Sequence, residues 1–160
     1  MEDFEIAGLV GEKLFRDLLD RIKLPYLLID QAPETFAEKF HSVAKRPDLL
    51  IPFGEARLAA IDIKSKRPGF WVGPKTACVG INKVDIERLA EFERIVGIPV
   101  FLAFFDGWNL EYPDLWRITK LLEIKLLREF KDYVLIDINT LPLVSSRDAL
   151  LQKLNRGATR

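Results

Sequence analysis

Apolar and polar positions along the chain change period several times, and each change marks an element. From Phe4 to Ile22, residues Ile6, Leu9, Val10, Leu14, Leu18 and Ile22 recur near one stripe, the spacing of an amphipathic helix. Glu12 and Arg16 stand one turn apart on it and can pair. Pro25 stops the helix, and Tyr26–Ile29 is a short apolar run that predicts a strand. Residues 32–43 predict a short helix, with Pro33 near its first position. Residues 46–66 then read as two strands and a tight turn. Asp48 opens the first strand, Gly54-Glu55 sits at the bend, and the second strand begins at Arg57. From Ala60 to Lys64 apolar and charged residues alternate, so Asp62 and Lys64 share one face while Ile61 and Ile63 take the other.

After Lys64 the periodicity is lost. Lys66, Arg67, Phe70, Trp71 and Lys75 lie among Pro68, Gly69, Gly73 and Pro74, which predicts a loop. Exposed rings beside cations can stack on bases and touch phosphates; alternatively, Phe70 and Trp71 cover the edge of the core. A second amphipathic helix is predicted over 83–96, with Val84, Leu89, Phe92, Ile95 and Val96 on its apolar side and Gly97 at its end. Val100–Phe105 is apolar throughout, as a central strand would be, and Asp106-Gly107 ends it. Residues 115–130 fit either one helix or a strand near 116–118 followed by a short helix. A strand at 134–138 and a helix at 147–154, capped by Ser146, complete the chain. This order argues a single α/β or α+β domain over residues 1–160 with a mixed sheet.

The turn decides whether Asp48 can join Asp62. A three-residue loop, 54–56, pairs Phe53 with Arg57, and counting back sets Asp48 opposite Asp62. Facing side chains have Cβ atoms roughly 5 Å apart. A two-residue loop would shift the register and separate the carboxylates. Like charges so placed repel unless a cation sits between them, and an all-oxygen donor pair suits Mg²⁺ or Mn²⁺ rather than zinc.

Composition narrows the chemistry. The chain has 160 residues, 49% of them hydrophobic and 30% charged, enough for one domain with a core. Its formal net charge is zero, so any attraction to nucleic acid must come from local patches. One cysteine and one histidine argue against structural zinc or a Cys-His catalytic pair. Cys78 reads as a small core residue, His41 as structural or surface, and Trp108 and Trp116 as packing residues. The single cysteine, an acidic start without a secretory signal and no run long enough for a membrane helix point to a cytoplasmic setting without membrane contact. No GxGxxG, P-loop or G-x-S-x-G motif is present, which argues against the common small-molecule enzymes.

Pro47-Asp48 at a strand start, then Asp62-Ile63-Lys64 on the next strand with thirteen residues between the aspartates, resembles the motif of the PD-(D/E)XK nuclease superfamily. Glu12, in Gly11-Glu12-Lys13, stands where many members carry a glutamate on the first helix. The resemblance covers the first two-thirds of the chain and is strongest to the resolvase-like and restriction-endonuclease-like members. It implies an α/β restriction-endonuclease-like core, a mixed central sheet flanked by helices in helix-strand-strand-strand-helix-strand order. It implies metal-dependent hydrolysis of phosphodiesters, with Glu12, Asp48, Asp62 and Lys64 catalytic. Glu12, Asp48, Asp62 and the Ile63 carbonyl would hold Mg²⁺ or Mn²⁺, and Lys64 would orient the attacking water. Some members carry a glutamine or lysine on the second core helix, for which Asn82, Lys83 and Asp85 are the nearest candidates. Lys66, Arg67, Trp71 and Lys75 would bind nucleic acid, DNA in the first instance, and a homodimer is implied. A nuclease fold that binds without cutting, or one that serves as a protein-interaction module, is the alternative. The ordinary expectation for Asp62 and Lys64 is an ion pair on a half-exposed strand; for Glu12 it is a solvated helix residue.

Overall fold

The computed structural model describes residues 3–65, 69–105, 116–124 and 129–158, with side chains from Val10 to Gly157 within these ranges. Helix α1 (Asp3–Arg21) leads into a two-residue strand β1 (Leu27–Leu28). The hairpin follows as β2 (Leu49–Pro52) and β3 (Leu58–Lys64), then a second hairpin, β4 (Phe70–Val72) and β5 (Thr76–Asn82). Helix α2 (Lys83–Val96), β6 (Val100–Phe105), β7 (Trp116–Lys120) and a single turn α3 (Leu121–Ile124) come next. Strands β8 (Glu129–Phe130) and β9 (Tyr133–Ile136) and helix α4 (Arg147–Ala158) close the chain.

Among the described residues, the strands form a mixed five-stranded sheet, β1-β2-β3-β6-β7, and a four-stranded sheet, β4-β5-β9-β8. In the first, β3 runs antiparallel to β2 and parallel to β6. β3 is therefore central, buried on both faces. Ile61 on one face joins Phe15, Leu18 and Leu19 of α1 and Leu150 and Leu154 of α4. Ala60 on the other joins Leu102 and Phe104 of β6, Leu89 and Phe92 of α2, and Val79 and Ile81 of the second sheet. The main sheet thus lies between α1 and α4 on one side and α2 with the second sheet on the other.

Helix α2 has the predicted bounds because both ends are chemically specified. The Asn82 side chain accepts the Val84 N–H, and Gly97 adopts the left-handed conformation (φ 75°) that ends a helix cheaply only at glycine. Glu93 then accepts the Val100 N–H, tying the helix end to β6. Ser146 caps α4 through the Ala149 N–H, and α4 continues to Ala158. Of the two readings of 115–130, the strand followed by a short helix is correct.

Several expectations fail. The helix over 32–43 is replaced by 3₁₀ turns at Pro33–Thr35 and Glu38–Phe40. Arg46 takes the carbonyls of Asp30, Gln31 and Ala32, and His41 takes that of Phe36, so these acceptors are lost to a helical ladder. The loop after Lys64 contains β4, and β5 follows it; only pairing between them and with β9 makes these segments extended. On the helices, Val10, Val84 and Val96 are exposed, while Phe15, Leu19 and Ile86 are buried instead. Leu14, Leu18 and Ile22 of the first stripe and Leu89, Phe92 and Ile95 of the second still pack inward, so each stripe shifts at its margins. No helix among the described residues is long and apolar enough to cross a membrane.

Candidate active site

The hairpin turn has the predicted length. Phe53 N–H donates to the Arg57 carbonyl at 2.9 Å, Gly54 and Ala56 take positive φ (65° and 53°), and the register runs from Pro52 opposite Leu58 to Leu49 opposite Ile61. One residue further back the strand bends, which corrects the expectation that Asp48 is itself a strand residue. Asp48 N–H still donates to the Ile61 carbonyl, at 2.9 Å, and its carboxylate takes over the next ladder position. There Oδ2 accepts the Ile63 N–H at 2.6 Å. Alternation along β3 turns the Ile63 carbonyl to that same side, past the start of β2.

Asp62 and Lys64 point to the α2 side of the sheet, as the alternation predicts, but neither is half-exposed. Asp62 is 1% and Lys64 6% exposed, beside Ala60, Leu102 and Phe104. The surface ion pair is thus corrected to a buried one, because α2 packs over that face and β6 flanks it in the sheet. Lys64 Nζ lies 2.7 Å from Asp62 Oδ2. The approach is close but poorly directed, and Oδ2 lacks a well-aligned hydrogen-bond donor. Lys45 Nζ stands 3.6 Å from Asp62 Oδ1 and 3.8 Å from Asp85 Oδ2, in the first turn of α2.

The electrostatics follow from burial. Asp48 is pushed up to about 7, first by desolvation and then by the Asp62 carboxylate, with Glu12 adding to the shift. The Ile63 hydrogen bond and Lys45 oppose it. Burial pulls the Lys64 ammonium down, but the Asp62 charge and contact, helped by Asp85, outweigh it and hold Lys64 above its ordinary value. Glu12 is therefore within electrostatic reach of Asp48. What brings it there is Gly11, where α1 presses on the end of β3. A Cβ at Gly11 would sit 2.7 Å from Ser65 Cβ. Gly11→Ala is expected to lower stability by about 1–2 kcal/mol, since overpacking outweighs the gain in helix propensity. Thermal melts check this, and Ser65→Gly should recover the loss.

Among the described residues, no three Asp, Glu, His or Cys side chains converge tightly enough to ligate a metal by themselves. What the site offers a divalent cation is Asp48, Asp62 with its poorly satisfied buried oxygen, and the side of β3 where the Ile63 carbonyl points. Glu12, Asp48, Asp62 and Asp85 face only Lys45 and Lys64 in this interacting group. Acidic side chains thus outnumber ammoniums four to two in this group, so a bound cation meets net negative charge once Asp48 has ionised. The donor set is all oxygen, which suits Mg²⁺ or Mn²⁺.

Of the three candidates on α2, only Asp85 reaches this group. Asn82 caps the helix, and Lys83 pairs with Glu129 at 2.6 Å. Sequence reasoning missed Lys45: it lies in irregular chain, where no period assigns it a face. Of the expected nucleic-acid contacts, Lys66 and Arg67 lie outside the described residues. Phe70 and Trp71 divide between the two readings because they alternate on β4. Phe70 packs on Tyr133 and over Gly80, whereas Trp71 is 69% exposed and Lys75 is exposed at the β4–β5 turn. Trp116 is fully buried against Phe15 and Phe105, and Cys78 is buried, both as expected; Trp108 lies outside the described residues. His41 stacks on Phe36 in a structural role.

Among solved structures, the chain is similar to Hjc, a Holliday junction resolvase from the archaeal hyperthermophile Archaeoglobus fulgidus. The match has a TM-score of 0.54 and 18% identity over 89% of this chain and 96% of that one. The fold is that of the PD-(D/E)XK nucleases. It is the restriction-endonuclease-like arrangement, with Asp48, Asp62 and Lys64 at the open end of its β2–β3 hairpin. A second similar structure is D212, a nuclease from a fusselovirus, with a TM-score of 0.48 and 18% identity over 96% of this chain and 93% of that one. No family model matches the chain, and no curated protein matches it.

Proposed function

We propose that this protein is a divalent-metal-dependent endonuclease that hydrolyses phosphodiester bonds of nucleic acid, with branched DNA as the first substrate class to test. The observation that carries the reading is the constellation at the hairpin's open end. Asp48 is held by the Ile63 N–H, and beside it the buried Asp62 carries Lys64 at 2.7 Å. Asp48, Asp62 and the Ile63 carbonyl would hold Mg²⁺ or Mn²⁺, and Glu12 would hold a second ion or an ion-bound water. The ion, when bound, lowers the pKa of its water and offsets charge on the phosphate. Lys64 stays protonated beside Asp62, so it donates to the attacking water or to a phosphate oxygen and does not act as a base. The rigid β3 backbone fixes Asp62 and Lys64 two residues apart on one face, which limits their reorganisation during the reaction. Trp71 and Lys75, with Lys66 and Arg67, would grip the strand by stacking and phosphate contacts. A homodimer would cut two strands symmetrically.

A second reading is favoured by one observation. Both Asp62 oxygens already face a lysine, as they would in a domain that binds nucleic acid without cutting it. Incubating the protein with four-way-junction, linear and single-stranded DNA in Mg²⁺, Mn²⁺ or EDTA separates the two. The nuclease reading expects cleavage in Mg²⁺ or Mn²⁺ and none in EDTA. Salt-sensitive binding without cleavage in any metal would establish the second reading.

A further inference from the structure

Lys64 and Lys45 both face Asp62, but the structure holds them differently. Lys64 is 6% exposed and meets Oδ2 at 2.7 Å. Lys45 has a side chain 32% exposed and meets no carboxylate closely. Its ammonium hangs between Asp62 Oδ1 and Asp85 Oδ2, at 3.6 and 3.8 Å. Its backbone is fixed, since Lys45 N–H donates to the Arg88 carbonyl at 3.0 Å, so only the side chain is free to move. Lys45 also lines a cavity of about 280 Å³ with Gln31, Phe36, His41, Arg46 and Arg88.

From this geometry we infer that Lys45 is a displaceable internal cation that occupies the Asp62 carboxylate in the metal-free protein and transfers to Asp85 when a divalent ion binds. The inference rests on the metal-site reading above and adds a residue to it. Any cation held by Asp62 meets the Lys45 charge at close range, and positive charges gathered on one carboxylate repel strongly in a buried setting. Lys64 cannot relieve this, because it is enclosed. Lys45 can, because a second carboxylate already stands within 4 Å of its ammonium. The move keeps every charge paired: the incoming ion takes Asp62, and Lys45 takes Asp85. Lys45 then answers one carboxylate rather than two and, as a residue lining the cavity, is freer to meet a phosphate oxygen of a bound strand. Lys45 is thus a positioning residue that couples ion binding to substrate binding.

Calorimetric titration with Mg²⁺ alone tests this on the wild type, Lys45→Met and Asp85→Asn. Lys45→Met removes the competing charge and keeps the aliphatic stem, so Mg²⁺ should bind about tenfold more tightly or better. Asp85→Asn removes the refuge for Lys45, so Mg²⁺ should bind correspondingly more weakly. A residue that merely supports the fold would not shift the two variants in opposite directions. Filter binding of junction DNA with and without Ca²⁺, an ion used to hold the site without turnover, gives a second readout. Wild type should gain affinity with Ca²⁺ more than Lys45→Met does. Equal Mg²⁺ affinities in all three proteins would overturn the role of Lys45 while leaving the metal site standing. No Mg²⁺ binding in any of them would overturn the metal site itself.

Discussion

Asp62→Asn is expected to reduce Mg²⁺-dependent DNA cleavage by about a thousandfold or more and, at the same time, to destabilise the protein by about 3 kcal/mol. The two losses have different causes. Cleavage falls because Asp62 is the one carboxylate shared by the proposed ion and Lys64. Stability falls because Lys64, 6% exposed, is left with a buried charge and no close counter-ion. A destabilised variant that fails to cut proves little, so the informative protein is Asp62→Asn combined with Lys64→Met. With both charges gone the buried pair is replaced by neutral groups of similar size, and most of the stability should return. Cleavage should not. Lys64→Met alone should keep Mg²⁺ binding through Asp48 and Asp62 yet cut about a hundredfold or more slowly, since the donor to water or phosphate is lost. The checks are nicking rates under single-turnover conditions and urea melts of all four proteins. A doubly substituted protein that is stable and cuts at the wild-type rate would remove Asp62 and Lys64 from the chemistry.

The second large effect is on pH dependence. Asp48 ionises near 7 in the folded protein but near 3.8 when unfolded. Between these values the native state keeps a proton that the unfolded chain has released, so raising the pH favours unfolding. Below about pH 4 both states are protonated and Asp48 exerts no such effect. Above about pH 7 the destabilisation is complete, at roughly 2–4 kcal/mol in the metal-free protein. Asp48→Asn removes this titration while its amide oxygen can still accept the Ile63 N–H. The variant should therefore melt close to wild type at pH 4 and several degrees higher at pH 8 without metal. Comparing the two proteins isolates Asp48 from every other titrating group. Mg²⁺ should invert the ranking at pH 8, because an ion bound at Asp48 stabilises the carboxylate and only the wild type supplies one. A wild-type-minus-variant difference that stays constant from pH 4 to pH 8 would show that Asp48 titrates normally.

Much of the site was legible in the chain because its geometry is local. Period-two alternation places Asp62 and Lys64 on one side of any strand, whatever surrounds it. Loop length sets hairpin register, so the three residues 54–56 aligned Leu49 with Ile61 and brought Asp48 to the end of the ladder. Helix α2 was legible to the residue because Asn82 and Gly97 act within one turn of its ends. The apolar run 100–105 has the length of a strand covered on both faces, and that is what it forms.

What the chain could not determine is everything that depends on which distant segment arrives where. Period two says that Asp62 and Lys64 share a face, not that α2 packs over it with β6 alongside. That burial turns a surface ion pair into a desolvated one and raises Asp48. β4 and β5 carry β-favouring residues, but Gly69, Gly73 and Pro74 around them read as loop; pairing with each other, and of β5 with β9, is what makes them a sheet. Lys45 sits in irregular chain, 40 residues from Asp85, and their approach is set by the packing of α2 against the segment before β2. Local order is written in the spacing of neighbouring side chains; desolvation and charge pairing are sums over contacts between remote ones, and only the folded arrangement fixes those.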